Sequence, residues 1–367
     1  CKLIASAAAN GPGGSPISVE ISGRDMDQLQ DVADKMVKLI ASTPGTSDVD
    51  QSHRIGQPEI RIVPDQDKCP QHDLTVRDLD DSLVEKFVNL GAKSANSPKE
   101  MIEEVDLVIT CLPSPAACSQ VMEGEGGILE GIGPDKIWAE MSTTDASEIK
   151  RLAALVEAKG GAAVECPVSG GCHRADTGNI SIFVGGERES FDRMLPFLKT
   201  LGRRILHTGP LGSASILKVM TNYLATANLL TMSEALVTMK AAGIDMATTY
   251  EAMNISSGAS FVSETEGQVI LNGSRDIEFT MDLVLKDIGL FHKIAEDNNV
   301  PLEISPLMIE IMKDGQKRYG NRANSDDIIR RLEEATGLSV LADGFPALLK
   351  DDEPEEQGYE VVPRAKA

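Results

Sequence analysis

No run of 18 or more apolar residues occurs in this chain, which excludes a helix that spans a membrane. Positive charge is scarce: 35 Lys and Arg stand against 57 Asp and Glu, a formal net charge of −22. Such a balance repels phosphate backbones and anionic lipid, so neither nucleic acid nor membrane is expected as a partner. The six cysteines, at positions 1, 69, 111, 118, 166 and 172, include no CxxC pair. Zinc-ribbon and thioredoxin-like signatures are therefore absent, and no metal is expected. Unpaired thiols suit a reducing cytoplasm, the expected location. No secretory signal precedes the chain, but Cys1 is not a natural start, so that absence carries little weight. No internal repeat is apparent.

What is present begins with length. The 367 residues leave room for two or three domains and a large core. The most informative segment runs from Gly209 to Asn222, a glycine-containing turn that opens a long apolar-patterned helix. Lys218 and Asn222 stand at i and i+4 and share one helix face. A lysine within an apolar face must lose pKa or gain partners. It can then exchange a proton near neutral pH while the amide orients a substrate hydroxyl. The plainer reading is a solvated lysine on an amphipathic helix, and spacing alone leaves both open.

The chain changes character along its length. In residues 1–71, Pro16 to Ser22 alternates like a strand, Asp27 to Ala41 has helical period, and Ser47 to His53 and Pro58 to Val63 suit a hairpin. A ferredoxin-like β-α-β-β segment is expected. From Leu74 strands and helices alternate. Strands are expected at 74–78, 105–112, 136–141, 162–168, 179–184 and 204–207, with helices at 81–90 and 146–159. This pattern predicts a doubly wound parallel α/β sheet with ligands beyond the carboxyl ends of its strands. After Gly212 only helices are expected. The acidic tail from Lys350 reads as disordered. The expected divisions are 1–71, 72–208, 209–340 and a tail at 341–367.

Two further segments accompany the lysine turn. One is Glu165-Cys166-Pro167-Val168-Ser169-Gly170-Gly171, followed by Ala175-Asp176-Thr177-Gly178; the other runs from Phe279 to Asp287 and includes Lys286. Cys166 and Cys172 flank the Ser-Gly-Gly turn, either as small packing residues or as a reactive thiol. In this order and at these distances, the three segments resemble the β-hydroxyacid dehydrogenase family, whose members include 3-hydroxyisobutyrate dehydrogenase. The resemblance extends from about Leu74 to at least Asp327. It implies an incomplete Rossmann-like domain followed by an all-helical domain for substrate and dimerisation, and hence a homo-oligomer.

The same resemblance assigns roles. Lys218 would be the general acid/base and Asn222 would hold the same substrate oxygen. Ser169, Gly170 and Gly171 would take the substrate carboxylate, since glycines let backbone amides approach an anion. Asp78 would bind the adenosine ribose and favour NAD over NADP; Leu79 stands where NADP users often carry arginine. Leu112-Pro113 and Ser142-Thr143 would flank the ribose and nicotinamide, with Lys286 near the ring. Taken without the resemblance, these are an acidic turn residue, capped strand-to-helix turns and a helix-surface charge.

Residues 11–67 resemble a periplasmic subdomain of resistance-nodulation-division efflux pumps, through Gly-Pro-Gly-Gly at 11–14, Ser22-Gly23-Arg24-Asp25, Thr43-Pro44-Gly45 and Gly56-Gln57-Pro58-Glu59-Ile60. They occupy the place where the dehydrogenase family carries its first strand and its Gly-x-Gly-x-x-Gly loop. That loop holds the cofactor pyrophosphate on backbone amides, and this sequence has none. Ala214 also replaces the last glycine of the family's lysine turn. Three functions follow as expectations: an NAD-dependent oxidoreductase acting on a small β-hydroxy acid, a catalytically silent binding or assembly protein without the pyrophosphate loop, and an efflux-pump component.

Overall fold

Alternating residues of the strand Ile137–Glu140 serve opposite cores. Trp138 packs with Ile102, Met122, Ile149 and Leu152 on one face, whereas Ile137 and Ala139 pack with Val164, Ile182, Phe191 and Leu198 on the other. A sheet buried on both faces is what a doubly wound α/β domain requires. The computed structural model describes residues 2–7, 17–22, 35, 75–78, 81–89 and 91–364. It divides into two compact units, 1–57 and 58–367.

In the first unit β1 (Lys2–Ala7) pairs antiparallel with β2 (Ile17–Ser22), the strand expected from alternation. The expected helix at 27–41 lies outside the described residues apart from Lys35, which is helical, and so does the hairpin at 47–63.

The second unit opens with β3 (Thr75–Val76), α1 (Asp81–Asn89) and β4 (Lys93–Ser94), and β3 and β4 form a small parallel pair. Then follow α2 (Pro98–Glu104), β5 (Leu107–Thr110), α3 (Pro115–Glu123), α4 (Ile128–Gly131), β6 (Ile137–Glu140), α5 (Ala146–Glu157), β7 (Ala162–Glu165), β8 (Val168–Ser169), α6 (Cys172–Asp176), β9 (Ser181–Gly185), α7 (Arg188–Leu201) and β10 (Arg204–Gly209). Helix starts are explained locally. Ser114 caps α3 by accepting from Ala117 N, with Pro115 in the first turn, and Asp145 caps α5 by accepting from the amides of Ser147 and Glu148.

The large sheet has the order β11-β10-β9-β7-β6-β5, where β11 is the late strand Tyr359–Glu360. β5, β6 and β7 are parallel, so their carboxyl ends, Thr110, Glu140 and Glu165, stand side by side at one edge. The sheet is parallel-dominated, as the α/β pattern predicts, with one departure from a wholly parallel sheet. β9 runs antiparallel to β7 and β8, with Glu165 opposite Gly185 and Ser169 opposite Ser181. β8 extends the line of β7 past a joint at Cys166-Pro167, and the chain returns through the short α6. An antiparallel return needs only a short connection, whereas a parallel one needs a full crossover.

The helical half is α8 (Ser213–Ala241), α9 (Met246–Asn254), α10 (Phe261–Glu264), α11 (Glu266–Asn272), α12 (Met281–Asp297), α13 (Ile304–Tyr319), a 3-10 turn (Ser325–Ile329) and α14 (Arg330–Thr336). With 29 residues, α8 extends about 43 Å. Leu229, Met232, Leu236 and Val237 of α8 share a core with Val284 and Ile288 of α12 and Met308 and Met312 of α13.

A correction concerns the tail. β11 (Tyr359–Glu360) follows all of these helices and pairs parallel with β10, so strands do not end at Gly212 and the acidic tail is ordered against the sheet. Its carboxylates meet arginines that are remote in sequence: Glu353 meets Arg204 at 2.5 Å and Glu360 meets Arg188 at 2.7 Å. No helix among the described residues is long and apolar enough to cross a membrane.

Candidate active site

The three carboxyl ends at the sheet edge carry the groups that build the site. β6 and β7 each finish on a buried glutamate, and each glutamate organises the turn beyond it. Glu140 Oε1 accepts from Ser142 N at 2.7 Å and Oε2 from Thr110 Oγ1 at 2.7 Å. Burial pushes its carboxyl above the usual range, against the pull of these bonds. Ser142 Oγ accepts in turn from Leu112 N at 2.7 Å. The turns at Leu112-Pro113 and Ser142-Thr143 are thereby tied into one surface.

Glu165 acts on the helical half. Its Oε1 accepts from Ala214 N at 2.8 Å, and its Oε2 accepts from Ser215 N at 3.1 Å and from Ser215 Oγ at 2.5 Å. A carboxylate on the first amides of α8 satisfies donors that a helix start leaves orphaned and complements the helix dipole. Gly212, at φ +92°, caps this helix without a side-chain bond of its own. Gly185 leaves room for the carboxylate, because a Cβ there would fall 2.2 Å from Glu165 Oε1.

One turn into α8, Lys218 is 8% exposed. Its Nζ donates to Asn222 Oδ1 at 2.7 Å, and Asn222 Nδ2 donates to Asp287 Oδ2 at 2.5 Å. Burial lowers the Lys218 ammonium to about 8; Asp287 opposes the drop and Lys286 adds to it. Asp287 is buried on α12. The ammonium of Lys286 lies 2.9 Å from Asp287 Oδ1, an ion pair without hydrogen-bond alignment, while its donated bond goes to the Thr143 carbonyl at 2.7 Å. The chain Lys218–Asn222–Asp287–Lys286–Thr143 thus links α8, α12 and the turn after β6.

Ser169 sits in β8 and is followed by Gly170 at φ +137° and Gly171 at φ +81°, conformations open to glycine. No hydrogen bond among the described residues joins this turn to the lysine network. Asp78 follows β3, on the small sheet rather than the large one. Of the cysteines beside the turn, Cys166 is fully buried in a sheet core and burial pushes its thiol up, which is packing behaviour.

Spacing paired Lys218 with Asn222 and the family resemblance added Lys286; neither singled out Asp287 or Glu165, which the structure joins to them by hydrogen bonds or at the same helix. Asp287 was legible only as the neighbour of Lys286. Glu165 carried one signal: an acid closing the otherwise apolar run Ala162–Glu165, just where a helix start without a polar cap needs an anion.

The arrangement fits the nicotinamide end of a dinucleotide. Leu112-Pro113 and Ser142-Thr143 follow the strand ends where such ligands bind, and beside them the buried Thr144 hydroxyl has no partner among the described residues. No glycine-rich strand-to-helix turn precedes β3 among the described residues, so a pyrophosphate cradle has no counterpart there.

Comparison with known proteins gives the same orientation. A family model for the NAD binding domain of 6-phosphogluconate dehydrogenase matches residues 68–209, and one for the NAD-binding domain of NADP-dependent 3-hydroxyisobutyrate dehydrogenase matches residues 212–332. Both support a nicotinamide cofactor. The 2-(hydroxymethyl)glutarate dehydrogenase of Eubacterium barkeri is 30% identical over 264 residues, 72% of this chain and 88% of that protein. A probable mitochondrial 3-hydroxyisobutyrate dehydrogenase of Dictyostelium discoideum is 31% identical over 238 residues, 63% of this chain and 74% of that protein. The fold is shared with a crystal structure of 3-hydroxyisobutyrate dehydrogenase from Salmonella typhimurium: TM-score 0.66, 21% identity, 72% of this chain and 93% of that one. The first family match begins at residue 68, so the efflux-pump resemblance of residues 11–67 finds no support.

Proposed function

The chain belongs to the β-hydroxyacid dehydrogenase family, and from that premise we propose that it oxidises a small β-hydroxy acid with Lys218 as general acid/base. The observation that carries the reading is a buried lysine held at about 8 and bonded to Asn222 at 2.7 Å. At pH 7 roughly a tenth of such a group is neutral, enough to take a proton in the forward direction.

A bound NAD supplies the acceptor for the hydride that leaves the carbinol carbon. Lys218 Nζ takes the hydroxyl proton as the C–O bond becomes a carbonyl, and returns it in the reverse reduction. Asn222 gives its Oδ1 to Lys218 and one N–H to Asp287, which leaves its second N–H for the substrate oxygen. Ser169, Gly170 and Gly171 hold the carboxylate on backbone amides and the serine hydroxyl. Lys286, through Thr143, keeps the turn after β6 against α12. Asp78, followed by Leu79 rather than by an arginine, suits NAD over NADP.

The absent glycine loop favours a second reading, a silent binding protein of the same lineage. Titration with NADH, followed by fluorescence and then by turnover of β-hydroxy acids at saturating NAD, separates the two. The dehydrogenase gives saturable binding and substrate-dependent NADH formation; the silent protein gives neither.

A further inference from the structure

The tail that follows α14 runs back over the cofactor-binding half and ends as β11 on the sheet edge. Tyr359 N donates to Arg203 O at 2.9 Å and Val361 N to Ile205 O at 2.7 Å. On the way it delivers Asp351, whose side chain is 5% exposed. Asp351 Oδ2 accepts from Thr177 Oγ1 at 2.5 Å and from Asn179 Nδ2 at 2.7 Å. Asn179 is fully buried and also donates to the Glu353 carbonyl at 2.7 Å. Arg174 Nε lies 3.9 Å from Asp351 Oδ1, and Arg174 Nη2 lies 3.8 Å from Glu353 Oε2.

These partners surround α6, which has five residues and is too short to hold itself in water. Arg174 is the connection to the turn. A Cβ on Gly170 would lie 3.2 Å from Arg174 Cδ and 3.5 Å from its Cβ, so the arginine stem lies directly over Gly170. Its guanidinium stands 4.8 Å from the centre of the Phe261 ring on α10. Two successive glycines carry no side chain to fix their own position, and the Gly171 carbonyl is held by Ala175 N of α6 at 3.2 Å.

We propose that Asp351 is a positioning residue for the Ser169–Gly171 turn: the tail clamps Thr177, Asn179 and Arg174, and Arg174 sets the glycines at the geometry that receives the substrate carboxylate. The proposal rests on the reading that this turn holds the carboxylate. The tail lies beyond residue 332, where the second family match ends, so it acts on the site from outside the matched region.

The test compares the full chain with Asp351→Ala, Asp351→Asn and Glu360→Ala. The first removes the acceptor, the second keeps one oxygen acceptor, and the third breaks only the distant pair with Arg188. Hydrogen–deuterium exchange should quicken at the amides of 170–178 in Asp351→Ala by about tenfold, less in Asp351→Asn, and not at all in Glu360→Ala. The KM for the β-hydroxy acid should rise about tenfold in Asp351→Ala, with kcat and the KM for NAD within about twofold. Unchanged exchange at 170–178 overturns the clamp whatever the activity. Quickened exchange with an unchanged substrate KM keeps the clamp and overturns the carboxylate role of the turn. If Asp351→Ala does not fold, the graded pair of Asp351→Asn and wild type decides by the same exchange readout.

Discussion

The carboxylate of Asp287 receives the amide of Asn222 at 2.5 Å, and that bond decides which way Asn222 faces. With Nδ2 committed to Asp287, Oδ1 must face Lys218, which donates to it at 2.7 Å. A buried acid on α12 therefore orients the base on α8 without touching it.

Replacing Asp287 should act on the proton. Removing the anion withdraws the negative charge that supports the ammonium, so Lys218 falls below about 8. Oxidation needs neutral Lys218 and rises with pH through its pKa; reduction needs the ammonium and falls there. In Asp287→Asn the rising limb of kcat for oxidation should move to lower pH, and kcat on its plateau should drop about tenfold or more as Asn222 loses its fixed orientation. A limb that stays in place or moves to higher pH contradicts the network.

Glu165→Ala should be costly to stability. Three donors at the start of α8 lose a buried acceptor. Bonds to a charged group contribute about 1.5–3 kcal/mol each, not additively, so a loss of about 3 kcal/mol is expected in chemical denaturation. Glu165→Gln, which keeps an acceptor, should lose less. Equal stability of Glu165→Ala and wild type would remove the helix-capping role.

Cofactor affinity should be low. Pyrophosphate binding in this family's kind of fold uses backbone amides at a glycine-rich helix start, and the sequence offers none upstream of β3. Losing two or three charge-assisted bonds weakens binding by about three orders of magnitude or more. Isothermal titration with NADH should give a dissociation constant far above micromolar. Replacing residues 1–71 with a strand and a Gly-x-Gly-x-x-Gly helix start should restore tight binding. A micromolar constant in the unaltered chain would place a phosphate site in residues 1–71.

Much of this architecture was legible because local pattern and burial agree. β5 and β6 are short apolar runs, and the pair Lys218/Asn222 announces a shared helix face. The antiparallel return of β9 was not legible: the expected strand 162–168 spans the Cys166-Pro167 joint, but no local signal tells whether the next strand runs back beside it or crosses over. The ordered tail was misread for a related reason. Its acidic composition implies a solvated chain, and only the fold brings Arg174, Arg188, Arg203 and Arg204 to meet it. Asp287 escaped notice because helical period cannot say which of two adjacent charges, Lys286 or Asp287, is the buried one.

The most direct measurement is the turnover of Lys218→Ala with a β-hydroxy acid at saturating NAD, set beside its NADH affinity. Loss of the proton acceptor should lower kcat about 100-fold or more while NADH affinity stays within about twofold of the unaltered chain. Wild-type-like turnover in Lys218→Ala would contradict the account.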